Sequence, residues 1–221
     1  MDYPGLDEKN RLIIVSNRVP YNITRIRNEL VYKKSVGGLV TALDPILRKT
    51  GGLWIGWSGL AGNSKFVEKK VNVSQETNVS YELKLVNLSH DEIIDSYRGF
   101  SNRTIWPLFH GFIFQSYFDA TYWRSYQKTN RKFASEVLQE ATKDDIIWVH
   151  DYHLISLASE LRSRGVTQRI GSAGGLTYII DTLSCLSCWA PSPLCWEPRI
   201  VLGAEEERCP KTTRASRGGS S

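Results

Sequence analysis

Two short apolar runs constrain this chain more than any other feature. Residues 11–16 (RLIIVS) and 144–150 (DDIIWVH) each give way to polar groups at their carboxyl ends, Asn17-Arg18 in one case and Asp151 in the other. Runs this short and this apolar fit strands buried on both faces of a parallel sheet. Between and after them lie segments of helical period. Leu39, Val40, Leu43, Ile46 and Leu47 trace one helix, which Pro45 is expected to kink or split and Gly51-Gly52 to stop. Asp119 suits the N-cap of the best helix, whose apolar positions are Trp123, Tyr126, Phe133, Ala134, Val137, Leu138 and Ala141. Leu154, Leu157, Ala158 and Leu161 mark a short helix ended by Gly165, and Arg169-Ile170-Gly171 begins another strand. Residues 21–32 alternate weakly, as in a small hairpin or flap, and residues 53–57 and 66–73 are strand-like. Residues 79–86 alternate cleanly, as in a half-buried strand. Ser89, with Glu92 three residues on, predicts a capping box on a short helix before the aromatic-rich stretch 97–118. Strands alternating with helices argue for an α/β domain with a mostly parallel sheet.

Composition narrows the function classes. The 221 residues are 41% hydrophobic and 23% charged, ordinary for a globular protein, and no run of about 18 apolar residues is present to span a membrane. The polar, acidic start (MDYPGLDEKNR) lacks the pattern of a signal or transit peptide, so a cytoplasmic location is expected. The five Asn-x-Ser/Thr sequons therefore carry no meaning. The net charge of +5 is scattered rather than gathered in a tract, which fits a solvated surface and argues against nucleic-acid binding. A small anionic ligand remains compatible.

Character changes near Gly171. The excess positive charge lies before it, and all four cysteines (Cys185, Cys188, Cys195, Cys209) lie after it. Residues 172–221 follow neither the helix nor the strand period and end rich in Gly, Ser and Arg, so no packed domain is expected there. The cysteines offer one C-x-x-C, but the other two are far apart, a poor match to a zinc site.

Three clusters carry candidate chemistry. Ser16-Asn17-Arg18 followed by Ser35-Val36-Gly37-Gly38-Leu39 puts an arginine at a strand end and two glycines before a helix. Helix-terminal N–H groups and a guanidinium suit a phosphate. A tight turn with a surface arginine explains the local pattern at least as well. Residues 97–110 (YRGFSNRTIWPLFH) mix aromatic and polar groups, as a sugar shelf does. An ordinary aromatic core is the plainer reading. In His150-Asp151-Tyr152-His153, a carboxylate at a strand end is able to accept from substrate hydroxyls or act as a base. An H-x-x-H spacing split across a strand–helix junction is a weak metal site.

Taken in order, SNRVP (16–20), SVGGLVTAL (35–43), WIGWSG (54–59), YRGFSNRTIWPLFH (97–110), WVHDYHL (148–154) and RGVTQRIG (164–171) closely resemble the trehalose-6-phosphate synthases. These are the UDP-forming, retaining enzymes of glycosyltransferase family 20. The resemblance spans about residues 11–171. It implies the Rossmann-like N-terminal half of a GT-B fold over residues 1–171, with helices on both sheet faces, and a non-family tail over 172–221. It implies that Arg18 meets the phosphate of glucose-6-phosphate. Gly37 and Gly38 would line the donor diphosphate and the acceptor, and Tyr97 and Trp106 would hold the acceptor sugar phosphate. Asp151 would bind acceptor hydroxyls near the reacting centre, as the catalytic residue of this half. The implied substrates are UDP-glucose and glucose-6-phosphate, with no cofactor and no metal. Homo-oligomers or association with a full-length synthase are implied partners, with no nucleic acid and no membrane.

One departure stands out. After Arg169-Ile170-Gly171 the family continues F-F-L-H-I-P-F-P, with an active-site histidine at the fourth position, where this chain has Gly175. The family's second domain, which carries the nucleotide pocket, has no counterpart in residues 172–221. A frameshift, an alternative reading frame or a wrongly drawn gene end is expected, together with a chain that transfers no sugar by itself. The competing expectations are a non-catalytic module that pairs with a complete synthase, and a related synthase with another phosphorylated acceptor.

Overall fold

The structure, a computed structural model, describes residues 10–27, 29–61, 70–72 and 81–173. The cysteines and nearly all of the tail lie outside the described residues. The elements run β1 (Leu12–Arg18), β2 (Tyr21–Ile26), β3 (Glu29–Lys34), α1 (Gly38–Thr50), β4 (Leu53–Ala61), β5 (Lys70–Asn72) and β6 (Glu82–Leu88). A π-helix (Glu92–Ile105) then leads into α2 (Trp106–Phe109), followed by α3 (Ala120–Glu140), β7 (Ile146–His150), α4 (Leu157–Ser163) and β8 (Arg169–Ala173). Six strands form one sheet in the order β5-β6-β4-β1-β7-β8, parallel throughout except for β5, while β2 and β3 make a separate antiparallel hairpin. This is the expected α/β fold.

Strand alternation sorts the core into two layers. Ile13, Val15, Ile55, Ile147 and Val149 face the π-helix, α3 and α4, where they meet Ile93, Phe133, Val137 and Leu157. Leu12, Ile14, Trp54, Leu83 and Leu85 face the other way, toward Leu47 of α1 and Tyr21 and Ile23 of the hairpin. Helices therefore cover both faces. Trp148, on β7, remains 39% exposed, its ring lying against Gly171 of β8. Among the described residues no helix is long and apolar enough to cross a membrane.

Both predicted caps form. Asp119 accepts from the Thr121 and Tyr122 N–H groups at the start of α3. Ser89 and Glu92 bond reciprocally, N to Oε2 at 2.9 Å and Oγ from N at 3.2 Å. Along α3, Tyr126, Phe133, Ala134 and Val137 are buried as expected, but Trp123 and Leu138 are exposed.

Four expectations need correction. Pro45 does not split α1, which runs unbroken from Gly38 to Thr50. Asp44 pins the helix on both sides of the proline, bonding Lys34, Arg48 and the Tyr81 hydroxyl. The helix after Ser89 is not short: it is fourteen residues long and continues as α2 to Phe109, inside the aromatic stretch. β6 is buried on both faces rather than half-buried, because α3 covers its second side. Its one polar intrusion there, Lys84, is matched by Glu136 and Glu140 of α3. Of the 66–73 segment only β5 is described as strand, and it runs antiparallel to β6.

Candidate active site at the carboxyl edge of the sheet

β1 is the point where the strand order reverses: the chain goes from β1 out to β4 and β6, then returns to β7 on the other side. In open α/β sheets the crevice beyond the carboxyl ends at such a reversal is where ligands bind. β1 and β7 are adjacent and parallel, Val15 opposite Val149, so Arg18 and Asp151 emerge at the same edge.

Arg18 is held from both sides. Its carbonyl accepts from Ser16 Oγ at 2.7 Å, and that oxygen in turn accepts from the buried Trp54 indole at 2.8 Å. Gly56 lets the end of β1 cross β4 closely; a Cβ there would lie 2.7 Å from Val19 N. The Arg18 guanidinium lies 4.9 Å above the Trp57 ring, a cation–π contact. It rests on Gly59, where a Cβ would sit 2.7 Å from Arg18 Cζ. The SNR and WIGWSG motifs are thus one structural unit, which seats a guanidinium.

From Trp57 the contacts continue. Its ring lies 5.9 Å from that of Tyr97, and Tyr97 stacks on His153 at 5.2 Å. His153 Nδ1 is 2.9 Å from Asp151 Oδ2. The ladder Arg18–Trp57–Tyr97–His153–Asp151 joins three of the sequence-predicted residues through two that the sequence reading did not assign to a substrate. Trp57 had signalled itself only as part of a motif, and His153 only as half of a weak metal spacing.

Asp151 is backbone-strained, with φ +77° and ψ +156°, a region that residues other than glycine rarely occupy. Several bonds hold it there. Its N–H donates to Ala173 O on β8, and its Oδ1 accepts from Tyr152 N at 2.7 Å. The following turn is anchored on α3: the Tyr126 hydroxyl donates to Tyr152 O and accepts from Ile155 N, and Asn130 donates to His153 O. Burial pushes the Asp151 carboxyl up, but the His153 bond and charge and the Tyr152 N–H outweigh it and leave it below the ordinary carboxylate range. Beside it, burial lowers His150 to about 4, and burial with the neighbouring Asp151 charge pushes Tyr152 up to about 12.

The remaining candidates are not tied to this ladder. Gly37 and Gly38 are exposed at the start of α1; among the described residues nothing crowds either one and no side chain caps the helix's free N–H groups. Ser35 N donates to Pro20 O, which brings the glycine turn back toward the end of β1. Trp106 is 42% exposed and stacks on His110 at 4.2 Å. It sits on the same continuous helix as Tyr97, and its N–H donates five residues back, to Ser101 O. Phe100, by contrast, packs on Tyr126 in a core cluster with Ile105 and Phe109, the plainer reading of that stretch. Among the described residues no three His, Cys, Asp or Glu converge as metal ligands.

The profile of glycosyltransferase family 20 matches residues 10–172. The chain belongs to that family. Trehalose-6-phosphate synthases of Salmonella arizonae and Mycobacterium ulcerans are 41% and 38% identical to it over 164 and 162 residues, 73% and 72% of this chain. The matches cover 32% and 31% of those relatives, so the chain spans about a third of their length. A Burkholderia xenovorans trehalose-phosphate synthase in complex with glucose-6-phosphate superposes with TM-score 0.58 at 35% identity, covering 74% of this chain and 33% of that one. An Escherichia coli relative bound with UDP-2-fluoro glucose gives 0.62 at 33% identity, covering 81% and 38%. The Rossmann-like half of a GT-B fold is the architecture this family 20 chain shares with its structural neighbours.

Proposed function

We propose that this family 20 chain is the acceptor half of a UDP-forming trehalose-6-phosphate synthase, which moves glucose from UDP-glucose to glucose-6-phosphate with retention. Arg18 takes the acceptor phosphate by a bidentate, charge-assisted contact. Tyr97 and Trp106 flank the sugar, Asp151 accepts from its hydroxyls near the reacting centre, and Gly37 and Gly38 give the donor diphosphate access to helix N–H groups. The departing diphosphate is stabilised by protein cations rather than by a metal. One observation carries the reading: a guanidinium, an aromatic ring and a carboxylate are linked by direct contacts at the switch point between β1 and β7.

The test is calorimetric titration of the 221-residue chain with glucose-6-phosphate, glucose and inorganic phosphate, alongside an assay for trehalose-6-phosphate. Glucose-6-phosphate should bind weakly but at least about tenfold more tightly than either fragment, with negligible transfer. Equal or absent binding of all three overturns the reading. Abundant trehalose-6-phosphate made by the chain alone overturns its assignment as an acceptor half.

A further inference from the structure

His153 makes more contacts than a core residue needs. It is 8% exposed, and its ring lies between Tyr97 at 5.2 Å and Tyr152 at 4.1 Å, nearly parallel to both (19° and 28°). One ring nitrogen, Nδ1, points at Asp151 Oδ2 at 2.9 Å; the other, Nε2, is buried with no partner among the described residues. With Nε2 shut in, the imidazole has no route to a ligand of its own. A bare Nδ1 would set one lone pair against a carboxylate, so the contact requires the proton on Nδ1. Asp151 in turn sits in a strained conformation that persists only where its surroundings over-determine it. Its side chain is 40% exposed, so the carboxylate stays accessible at the carboxyl edge of the sheet.

We propose that His153 is the positioning residue of the acceptor site: its Nδ1–H fixes the Asp151 carboxylate while its ring fixes Tyr97, so that carboxylate and phenol are presented to one sugar as a rigid pair. It acts through those two residues and does not touch the ligand. The idea rests on the acceptor-site reading above. It adds that the second histidine of H-D-Y-H is an orienting group, neither metal ligand nor base.

The test has three arms on the full 221-residue chain. First, the imidazole 15N spectrum in mildly alkaline buffer should show His153 as the Nδ1–H tautomer; an Nε2–H tautomer overturns the proposal. Second, carboxyl 13C titration of Asp151, which also faces His150, Tyr152 and Tyr126, should move upward in His153→Phe. It should stay low in His153→Asn, whose amide can reach the Nδ1 position. An unmoved Asp151 in the Phe variant overturns the proposal. Third, His153→Phe keeps an aromatic stack but loses the Nδ1–H and should weaken glucose-6-phosphate binding about tenfold, while His153→Asn keeps a donor but loses the ring beside Tyr97 and should weaken it several-fold. Wild-type affinity in the Phe variant overturns it. Should the wild-type chain not bind glucose-6-phosphate at all, the acceptor reading fails, and the first two arms still decide whether His153 positions Asp151. Should the Phe variant not fold, the wild-type tautomer decides.

Discussion

Two aspartates bracket β7, and they are opposites. Asp145, just before the strand, is 3% exposed and saturated: Arg11 grips both oxygens at 3.2 and 2.8 Å, and Thr142 N donates to it at 2.7 Å. Asp151, just after the strand, is 40% exposed on a strained backbone and is held by one N–H and one imidazole. Burial raises both carboxyls, and in both cases bonding partners bring them below the ordinary range. The direction of the shift therefore does not separate them. What separates them is spare bonding capacity together with strain, which marks the carboxyl end of the sheet as the place where stability has been given up for access.

That contrast is open to attack by substitution. The largest effect belongs to the saturated end. Asp145→Ala takes both carboxylate bonds from the part-buried Arg11 guanidinium, whose bond to Glu140 O remains, and one from Thr142 N, and should cost about 3 kcal/mol in urea unfolding, with glucose-6-phosphate affinity unchanged if the chain remains folded. Next comes His150, buried at the open end, its Nε2 unpaired among the described residues. Its folded-state value of about 4 lies below the ordinary 6.5, so the folded state favours the neutral ring and the unfolded state takes up the proton first. Stability is intact above about pH 6.5 and should fall by up to about 3 kcal/mol as pH drops to about 4. His150→Phe should flatten that slope in urea midpoints measured across this range. The lowered carboxyls of Asp44, Glu92, Asp145 and Asp151 lose their contributions only below the ordinary carboxylate range.

Asp151→Gly should change stability by less than about 1 kcal/mol, because relief of the positive φ offsets the lost hydrogen bonds. The same variant should bind glucose-6-phosphate at least about tenfold more weakly. A destabilisation as large as that of Asp145→Ala would erase the contrast. The smallest effect is expected from Arg18→Lys, which keeps the charge but gives up the planar stack on Trp57. About 1 kcal/mol of binding should go with it, read by calorimetry, with the melting temperature unmoved.

The carboxyl-edge geometry also explains what could be read from the chain and what could not. β1 was legible because a strand buried on both faces writes itself as an unbroken apolar run, and β7 was legible as such a run although its Trp148 is left partly open. The Ser89/Glu92 box and the Asp119 cap were legible because each satisfies N–H groups within three residues of sequence. The π-helix was not, since of its buried positions (Glu92, Ile93, Ser96, Gly99, Ser101, Thr104, Ile105) only Ile93 and Ile105 carry large apolar side chains, too few to write a period. Lys84 broke no alternation that would have revealed the covering glutamates, which lie more than fifty residues away on α3. In the site, Arg18 and Asp151 were legible as polar residues at strand ends. Trp57 and His153 were not, because their roles arise through space: one seats a guanidinium from a neighbouring strand, the other bridges a carboxylate and a ring from a distant helix. Gly37, Gly38 and Trp106 are open to solvent rather than locked into the ladder.

A single titration reaches the heart of this account. Glucose-6-phosphate added stepwise to labelled 221-residue chain, followed by NMR, reports on the Arg18 side-chain Nε–H, the Trp57 indole and the Tyr97 ring at once. One shared binding curve for all three, weakened throughout in Asp151→Gly, is the predicted result. Independent curves, or movement at Arg18 alone that inorganic phosphate reproduces, would contradict it.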